Sequence, residues 1–188
     1  MDEAGRAAVY REQVLALDRA GVYRMWQVVH AGDNLVGWPP GKALEYLILR
    51  EFQLEGAEVT WPYEVRRNGL LLEQVDGAVY FDGLSCLVEA KDWRTPVDFS
   101  VVAKMKTQLL RRPAMTLGAV FLSGTFSDAA TSLAQLLPPP NVQLWNGDDL
   151  AWAMERGALR EGLKRKLRHA IEQGFGDLLL SGEGEEAP

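Results

Sequence analysis

Three ionisable residues, Asp76, Glu89 and Lys91, face one another across a predicted β-hairpin. The dipeptide Asp82-Gly83 predicts a two-residue turn, since both residue types tolerate positive φ. Counting back from that turn places Asp76 opposite Glu89, with β-carbons roughly 5 Å apart, where like charges destabilise a strand pair unless a cation lies between them. Lys91 follows Glu89 by two residues and therefore projects from the same face of the strand.

Two carboxylates beside one ammonium suit a divalent-metal site. We expect Mg²⁺, with Mn²⁺ as a substitute, because a hard cation takes carboxylate and carbonyl oxygens and keeps several waters. Asp76 and Glu89 would supply the carboxylates, and Ala90 a backbone carbonyl. The ion would acidify a bound water, while Lys91 would orient that water or stabilise the transition state. The alternative is a solvated polar face of an antiparallel sheet, with Lys91 paired to Asp92 or Glu89.

A further acid, Glu45, lies on a helix predicted at residues 42–54. The apolar stripe of this helix consists of Leu44, Leu47, Ile48 and Phe52. Glu45 lies at the margin of the stripe, so its carboxylate can reach the sheet that the helix covers and join the metal site. The alternative is an ordinary glutamate at the boundary of a buried face.

The composition is that of a globular protein with one main domain. The chain has 188 residues, 47% of them hydrophobic and 24% charged, which is enough to bury one core. The single cysteine excludes an internal disulfide, and no apolar run reaches the ~20 residues of a membrane span. The N-terminus lacks the plan of a signal peptide, so we expect a cytoplasmic protein with no membrane partner. The net charge of −6 identifies no partner, because a basic patch can still exist locally.

Apolar periodicity and turn signals predict alternating helices and strands. Helices are expected at residues 3–30 with a break at Gly21, then at 42–54, 97–112, 127–137, 148–157 and 158–173, with Ser127 and Asp148 as caps. Strands are expected at 59–66, 70–81, 84–91, 117–123 and 142–145. The first three form an antiparallel meander, and the continuous apolar run at 117–123 is typical of a buried parallel strand. We therefore predict an α/β sandwich with a mixed central sheet flanked by helices.

The motif residues resemble a known nuclease signature. Asp76, followed thirteen residues later by Glu89-Ala90-Lys91, resembles the PD-(D/E)XK motif. The segments GAVFLSGTFSDAA at 118–130 and VQLWNGDDL at 142–150 resemble the later part of the restriction endonuclease type IV-like (Mrr-type) catalytic domain. There a strand, a phenylalanine-serine loop, a helix and a short strand follow in the same order. The resemblance covers residues 41–156 and implies a restriction-endonuclease-like sandwich.

This resemblance implies a divalent-metal-dependent nuclease that hydrolyses phosphodiester bonds of DNA, in restriction, defence or repair. Asp76, Glu89 and Lys91 would be the motif residues, and Glu45 the helical acid. Many relatives place a glutamine on the helix after the lysine, and Gln108 is the candidate here.

Contacts to nucleic acid are expected beside the motif. Lys104, Gln108 and Arg111 share one face of the helix at 97–112, and a basic face next to the site would bind phosphates. The alternative is a solvated helix face. Trp93, just past the motif, would either stack on a base or cover an end of the sheet.

Outside the core at 41–156 we predict an N-terminal helical extension at 1–40, a C-terminal basic helix at 157–180 and a disordered acidic tail at 181–188. The basic helix would either track a nucleic-acid backbone or be a soluble terminal helix.

The alternative function is a catalytically silent module that binds nucleic acid or a protein partner. Such modules usually lose the lysine or an acid, and this chain has both, which favours activity. RNA is a second possible substrate. A homodimer is also possible, since cutting both strands of a duplex calls for two sites.

Overall fold

The computed structural model describes residues 3–182, and seven strands form two sheets. The strands are β1 (Glu58–Thr60), β2 (Tyr63–Arg67), β3 (Leu70–Val75), β4 (Gly77–Phe81), β5 (Leu84–Lys91), β6 (Thr116–Leu122) and β7 (Val142–Trp145). The central sheet has the order β1-β4-β5-β6-β7, and β2 pairs with β3 separately. β1, β4 and β5 are antiparallel neighbours, whereas β6 and β7 continue parallel to β5. The predicted mixed sheet is confirmed.

Helices cover both faces of the central sheet. They are α1 (Glu3–Leu15), α2 (Arg19–Ala31), α3 (Lys42–Leu54), α4 (Ser100–Leu109), α5 (Asp128–Leu136), α6 (Gly147–Arg156) and α7 (Leu159–Gln173), followed by a short 3-10 helix at Leu180–Gly182. α1, α2, α3, α6 and α7 share one hydrophobic cluster with the sheet, and α4 builds a second cluster on the other face. This is the layered arrangement that buries both apolar faces of a sheet. In the described part of the chain, no helix is long and apolar enough to cross a bilayer.

The turn between β4 and β5 determines where the motif residues lie. Asp82-Gly83 has φ angles of +48° and +78°, which is the predicted two-residue turn. The strand pairs run from this turn to Gly77 opposite Val88, so the predicted register is confirmed. Asp76 and Glu89 are the next residues beyond that last pair.

Two segments predicted as single strands are divided, and those predictions were wrong in extent. The segment at 70–81 leaves the small sheet and enters the central one at Asp76. There Gly77 lies directly under α3, since a β-carbon would come within 2.6 Å of Cδ2 of Leu49. The segment at 59–66 is divided at Pro62, which has no N–H to donate to a ladder.

Two helix ends also differ from the predictions. Asn146, not Asp148, caps α6, because its Oδ1 accepts the N–H of Asp149 at 2.8 Å. The carboxylate of Asp149 in turn accepts the N–H of Asn146 at 3.4 Å, which completes a capping box. α1 and α2 separate at residues 16–18 rather than at Gly21, because Asp18 caps α2 by accepting the N–H of Gly21 at 2.8 Å.

Three basic residues of α7 form ion pairs with acids on other elements of the chain. Arg160 and Lys164 both contact Asp82 at the β4–β5 turn. Lys166 is fully buried, with Nζ 2.9 Å from Oδ2 of Asp149. These contacts fasten α7 to the hairpin and to α6. Residues 183–188, which make up most of the tail predicted to be disordered, lie outside the described residues.

Candidate active site

The carboxylates of Asp76 and Glu89 converge on the ammonium of Lys91. Its Nζ lies 2.7 Å from Oε1 of Glu89 and 3.6 Å from Oδ2 of Asp76. Asp76 is 9% exposed and Glu89 is 1% exposed, so water screens their charges poorly. The structure thus brings together the three residues of the motif, with Asp76 at the junction of β3 and β4 and the other two on β5.

The backbone of Ala90 holds Asp76 in place. Oδ2 of Asp76 accepts the N–H of Ala90 at 2.9 Å. Nζ of Lys91 donates to the carbonyl oxygen of Ala90 at 3.3 Å. The carbonyl predicted as a metal donor therefore shares the Lys91 ammonium with both acids.

A second cation, Lys104 on α4, also contacts Glu89. Its Nζ lies 2.7 Å from each carboxylate oxygen of Glu89. α4 packs on the sheet through Met105, whose Cγ would lie 2.5 Å from a β-carbon at Gly118 of β6. Lys104 was predicted as a nucleic-acid contact, and this close packing brings it to the carboxylate cluster formed by Asp76 and Glu89.

Glu45 lies on α3, which packs on the face of the sheet opposite to that covered by α4. It is 7% exposed, and its Oε2 accepts from Nζ of Lys42 at 2.7 Å. Burial, and then the negative charge of Asp76, raise the pKa of Glu45 to about 7. Asp76 therefore contributes electrostatically to the raised pKa of Glu45.

The pKa of Asp76 and the pKa of Lys91 are both raised, but through different causes. Burial, followed by the charge of Glu89, raises the pKa of Asp76 above its ordinary value, although Lys91 opposes the shift. Burial acts to lower the pKa of Lys91, but Asp76 and Glu89 outweigh it, and the pKa lies above its ordinary value. Lys91 is consequently an ammonium at neutral pH, and the site favours an additional positive charge.

The remaining predicted residues have partners elsewhere or lie in solvent. Nε2 of Gln108, which is buried, donates to the carbonyl of Gln74 on β3 at 3.3 Å. Arg111 contacts the carboxylate of Glu73, also on β3. Trp93 is half exposed, two residues after Lys91. Gln108 and Arg111 thus hold α4 against β3 rather than reaching the carboxylate cluster.

A model of the restriction endonuclease family, the Mrr catalytic domain, matches residues 40–154, more than half of the chain. The chain belongs to this restriction endonuclease family. The matched range contains Glu45, Asp76, Glu89 and Lys91, together with all seven strands. The predicted family resemblance and the restriction-endonuclease-like fold are both confirmed.

Two solved structures are similar to this restriction endonuclease family member at 17% sequence identity. The match to AF1548, a protein of unknown function, covers 69% of this chain and 76% of that one, with a TM-score of 0.46. The match to a repair endonuclease from Pyrococcus abyssi covers 60% of this chain, with a TM-score of 0.42. It spans 49% of that endonuclease. Both TM-scores are too low to support a functional conclusion, and no curated protein matches the sequence.

The donors at the site fit the divalent metal that nucleases of this family generally use. Asp76 and Glu89 offer carboxylates and Ala90 a carbonyl, an all-oxygen set that suits Mg²⁺, which needs only one or two carboxylates beside water. Among residues 3–182 no group of three or more His, Cys, Asp or Glu side chains is arranged to hold a metal ion. The fit therefore depends on two acids and one carbonyl, and Glu45 stays a predicted ligand.

Sequence reasoning overlooked Lys42, the partner of Glu45, and an ion pair that docks α4 beside the site. Lys42 lies three positions before Glu45 on α3, a spacing that places both on one helix face, so it could have been found. Glu73 is 4% exposed in its side chain and accepts from both terminal nitrogens of Arg112 at 2.8 Å. The two residues are 39 positions apart and meet only because α4 docks on β3, so no local pattern indicates the pair.

Proposed function

We propose that the protein is a divalent-metal-dependent nuclease that hydrolyses phosphodiester bonds of DNA. The observation that carries the proposal is the convergence of Asp76 and Glu89 on Lys91, with Nζ 3.6 and 2.7 Å from the two carboxylates, in a member of the restriction endonuclease family. Two acids and a lysine in this arrangement supply the charges that phosphodiester hydrolysis requires: negative charge to bind a cation, and positive charge beside the phosphate.

Asp76, Glu89 and the carbonyl of Ala90 would hold the ion, with Glu45 as a fourth donor from α3. When bound, Mg²⁺ or Mn²⁺ would acidify a water and neutralise charge on the phosphate. The N–H of Ala90 keeps the carboxylate of Asp76 oriented, since it donates to Oδ2 at 2.9 Å. Glu89 and Ala90 lie on β5 and Asp76 directly precedes β4, its neighbour in the sheet, so regular elements position these three donors.

Lys91 acts as a hydrogen-bond donor to the reacting phosphate. Its pKa lies above the ordinary value, because Asp76 and Glu89 outweigh the effect of burial, so it keeps all its protons at neutral pH. Its role is to orient the attacking water and to stabilise the charge that develops on the phosphate oxygens.

Lys104 and Trp93 are the proposed contacts to nucleic acid. The side chain of Lys104 is 44% exposed while it contacts Glu89, so it can turn from that carboxylate to a phosphate. Trp93 is half exposed and follows the motif strand by two residues, where its ring can stack on a base.

Gln108 and Arg111 would act through β3. Gln108 donates to the carbonyl of Gln74, two residues before Asp76, so it positions the end of the strand that carries the acid. Arg111 contacts Glu73 on the same strand, and its side chain is 46% exposed, which leaves a face for a phosphate.

The test is the cleavage of plasmid and linear DNA by wild-type protein and by Lys91→Ala, with Mg²⁺, with Mn²⁺ and with EDTA. We expect cleavage only with metal, and a loss on the order of 10²–10³-fold in Lys91→Ala because one donor to the developing charge is gone. Lys164→Ala is the matched control, since Lys164 pairs with Asp82 on the far side of the hairpin. Its activity should equal that of the wild type.

Equal nicking by the wild type and Lys91→Ala would show that the activity comes from a contaminant and would refute the proposal. Isothermal titration of Mn²⁺ into the same proteins separates metal binding from cleavage. Binding to wild type that is lost in Asp76→Ala supports the assigned donors. DNA binding without cleavage in any metal would favour the alternative of a catalytically silent module.

A further inference from the structure

A cleft of about 730 Å³ opens beside the carboxylate cluster. Its walls come from α1, from the start of α3 and from the β2–β3 hairpin, and Asp76 is one of its lining residues. The lining includes Tyr10 from α1, Lys42 from α3, and Tyr63 and Arg66 from β2. The cleft thus joins the N-terminal extension to the proposed nuclease site.

The aromatic wall is rigid. The ring of Tyr10 stacks on Trp38 with centroids 4.9 Å apart and meets the edge of Tyr46 at 5.9 Å. Tyr46 also stacks on Trp61 at 5.7 Å, and its hydroxyl donates to the carbonyl of Ala7 at 3.3 Å. These contacts anchor α1 to α3, so the wall exists before a ligand arrives and little entropy is lost when one binds.

Cations accompany the tyrosines. Lys42 is 2.7 Å from Oε2 of Glu45, and Nε of Arg66 is 2.7 Å from Oε2 of Glu64. Arg6 lines the same cleft from α1. Aromatic rings interleaved with positive charges are the features by which proteins bind unpaired nucleotides, since rings stack on bases and cations attract phosphates.

The dimensions favour unpaired nucleotides over a duplex. A volume of about 730 Å³ is that of a small-ligand pocket, which typically holds ~300–1,000 Å³. A double helix, with a major groove that alone is ~12 Å wide, does not fit into such a space. A few nucleotides that have left the stack do fit, and enzymes commonly bind extruded bases in pockets of this kind.

We propose that this cleft binds unpaired nucleotides next to the phosphodiester bond that is cleaved, so that the preferred substrate carries a single-stranded or extruded segment. The proposal rests on the proposed nuclease function, because Asp76 belongs to both sites. Tyr10 and Tyr63 stack on the bases, and Lys42, Arg66 and Arg6 contact the phosphates.

The test is fluorescence anisotropy with Ca²⁺ in place of Mg²⁺, so that binding is measured without relying on cleavage. The probes are a labelled single strand, the matching blunt duplex, and a duplex with unpaired nucleotides at its centre. We expect the single strand or the interrupted duplex to bind at least about tenfold more tightly than the blunt duplex. Tight binding of the interrupted duplex indicates extrusion, and preference for the single strand alone indicates a strand-end substrate; either outcome supports the cleft.

Tyr63→Leu should weaken that binding on the order of tenfold, whereas Tyr63→Phe should keep it, because a phenyl ring still stacks. Tyr80→Leu is the matched control, since Tyr80 is 40% exposed on β4 outside the cleft. Arg66→Glu is a second variant, and because Arg66 is exposed this substitution should not impair folding. It should weaken binding and reduce the dependence of the dissociation constant on salt.

Equal affinity for blunt duplex and single strand would overturn the proposal, as would identical losses in Tyr63→Leu and Tyr80→Leu. The two proposals fail separately. Lys91-dependent plasmid cleavage with no effect of Tyr63 or Arg66 on binding overturns the cleft alone. Tyr63-dependent binding without cleavage in any metal overturns the nuclease function and leaves the cleft as a nucleotide-binding site.

Discussion

Glu51 gives a prediction in which the pH dependence of stability follows from one buried carboxyl. It lies on α3 and is 1% exposed. Nε of Arg19 lies 3.1 Å from Oε1 of Glu51, but the geometry is not that of a hydrogen bond. The side chain of Arg19 is 48% exposed, so water weakens its attraction. Burial, against the opposing effect of Arg19, raises the pKa of Glu51 from 4.5 to about 7.

The sign of the effect follows from proton binding. Between pH 4.5 and about 7 the folded protein keeps a proton on Glu51 that the unfolded chain has released. The stabilisation is therefore full below the unfolded pKa and is lost as the pH rises through the folded pKa. At ~1.4 kcal/mol per pH unit, this interval corresponds to about 3 kcal/mol of unfolding free energy, or roughly 6–12 °C in Tm for a chain of this length.

Glu51→Gln removes the proton equilibrium while keeping the shape of the side chain. The free energy of unfolding of the variant, relative to the wild type, should therefore rise by about 2.5 kcal/mol between about pH 5 and about pH 8. Urea unfolding followed by circular dichroism measures this difference. Other titrating groups, Glu45 among them, cancel because both proteins contain them.

Glu12→Gln is the matched control, because Glu12 is exposed on α1. Its stability relative to the wild type should be independent of pH. The assignment of the proton to Glu51 would be refuted if the free energy of unfolding of Glu51→Gln minus that of the wild type stays constant from about pH 5 to about pH 8, or falls as the pH rises.

Two further stability predictions concern buried charges. Lys166→Met leaves Asp149 buried without its cation and should cost ~3–5 kcal/mol in urea unfolding; adding Asp149→Asn should recover part of the loss, and a double variant no more stable than the single one contradicts this. Glu73→Gln weakens the charge-assisted hydrogen bonds to Arg112 and should lower the free energy of unfolding by ~1.5–3 kcal/mol. Hydrogen exchange should then accelerate in the β2–β3 hairpin relative to β6, and unchanged exchange in the hairpin would count against the pair.

The parts of the fold that could be predicted are those with local causes. The Asp82-Gly83 turn accepts positive φ at both residues, and strand alternation then places Asp76 and Glu89 face to face. The apolar run of β6 indicated a buried parallel strand because both of its faces are covered. Failures occurred where several local solutions compete, as at the α6 cap, where Asn146 accepts the hydrogen bond expected of Asp148.

The sequence by itself determined the order of the elements and the facing of Asp76, Glu89 and Lys91, because turns and alternation act over a few residues. Only the tertiary structure decided which charges share the site. Lys104 contacts both carboxylate oxygens of Glu89 because α4 packs closely on β6. The charge of Asp76 contributes to the raised pKa of Glu45, which lies on α3 at the other face of the sheet. Contacts between distant segments depend on how helices dock on the sheet, and that docking is settled by the packing of the whole core.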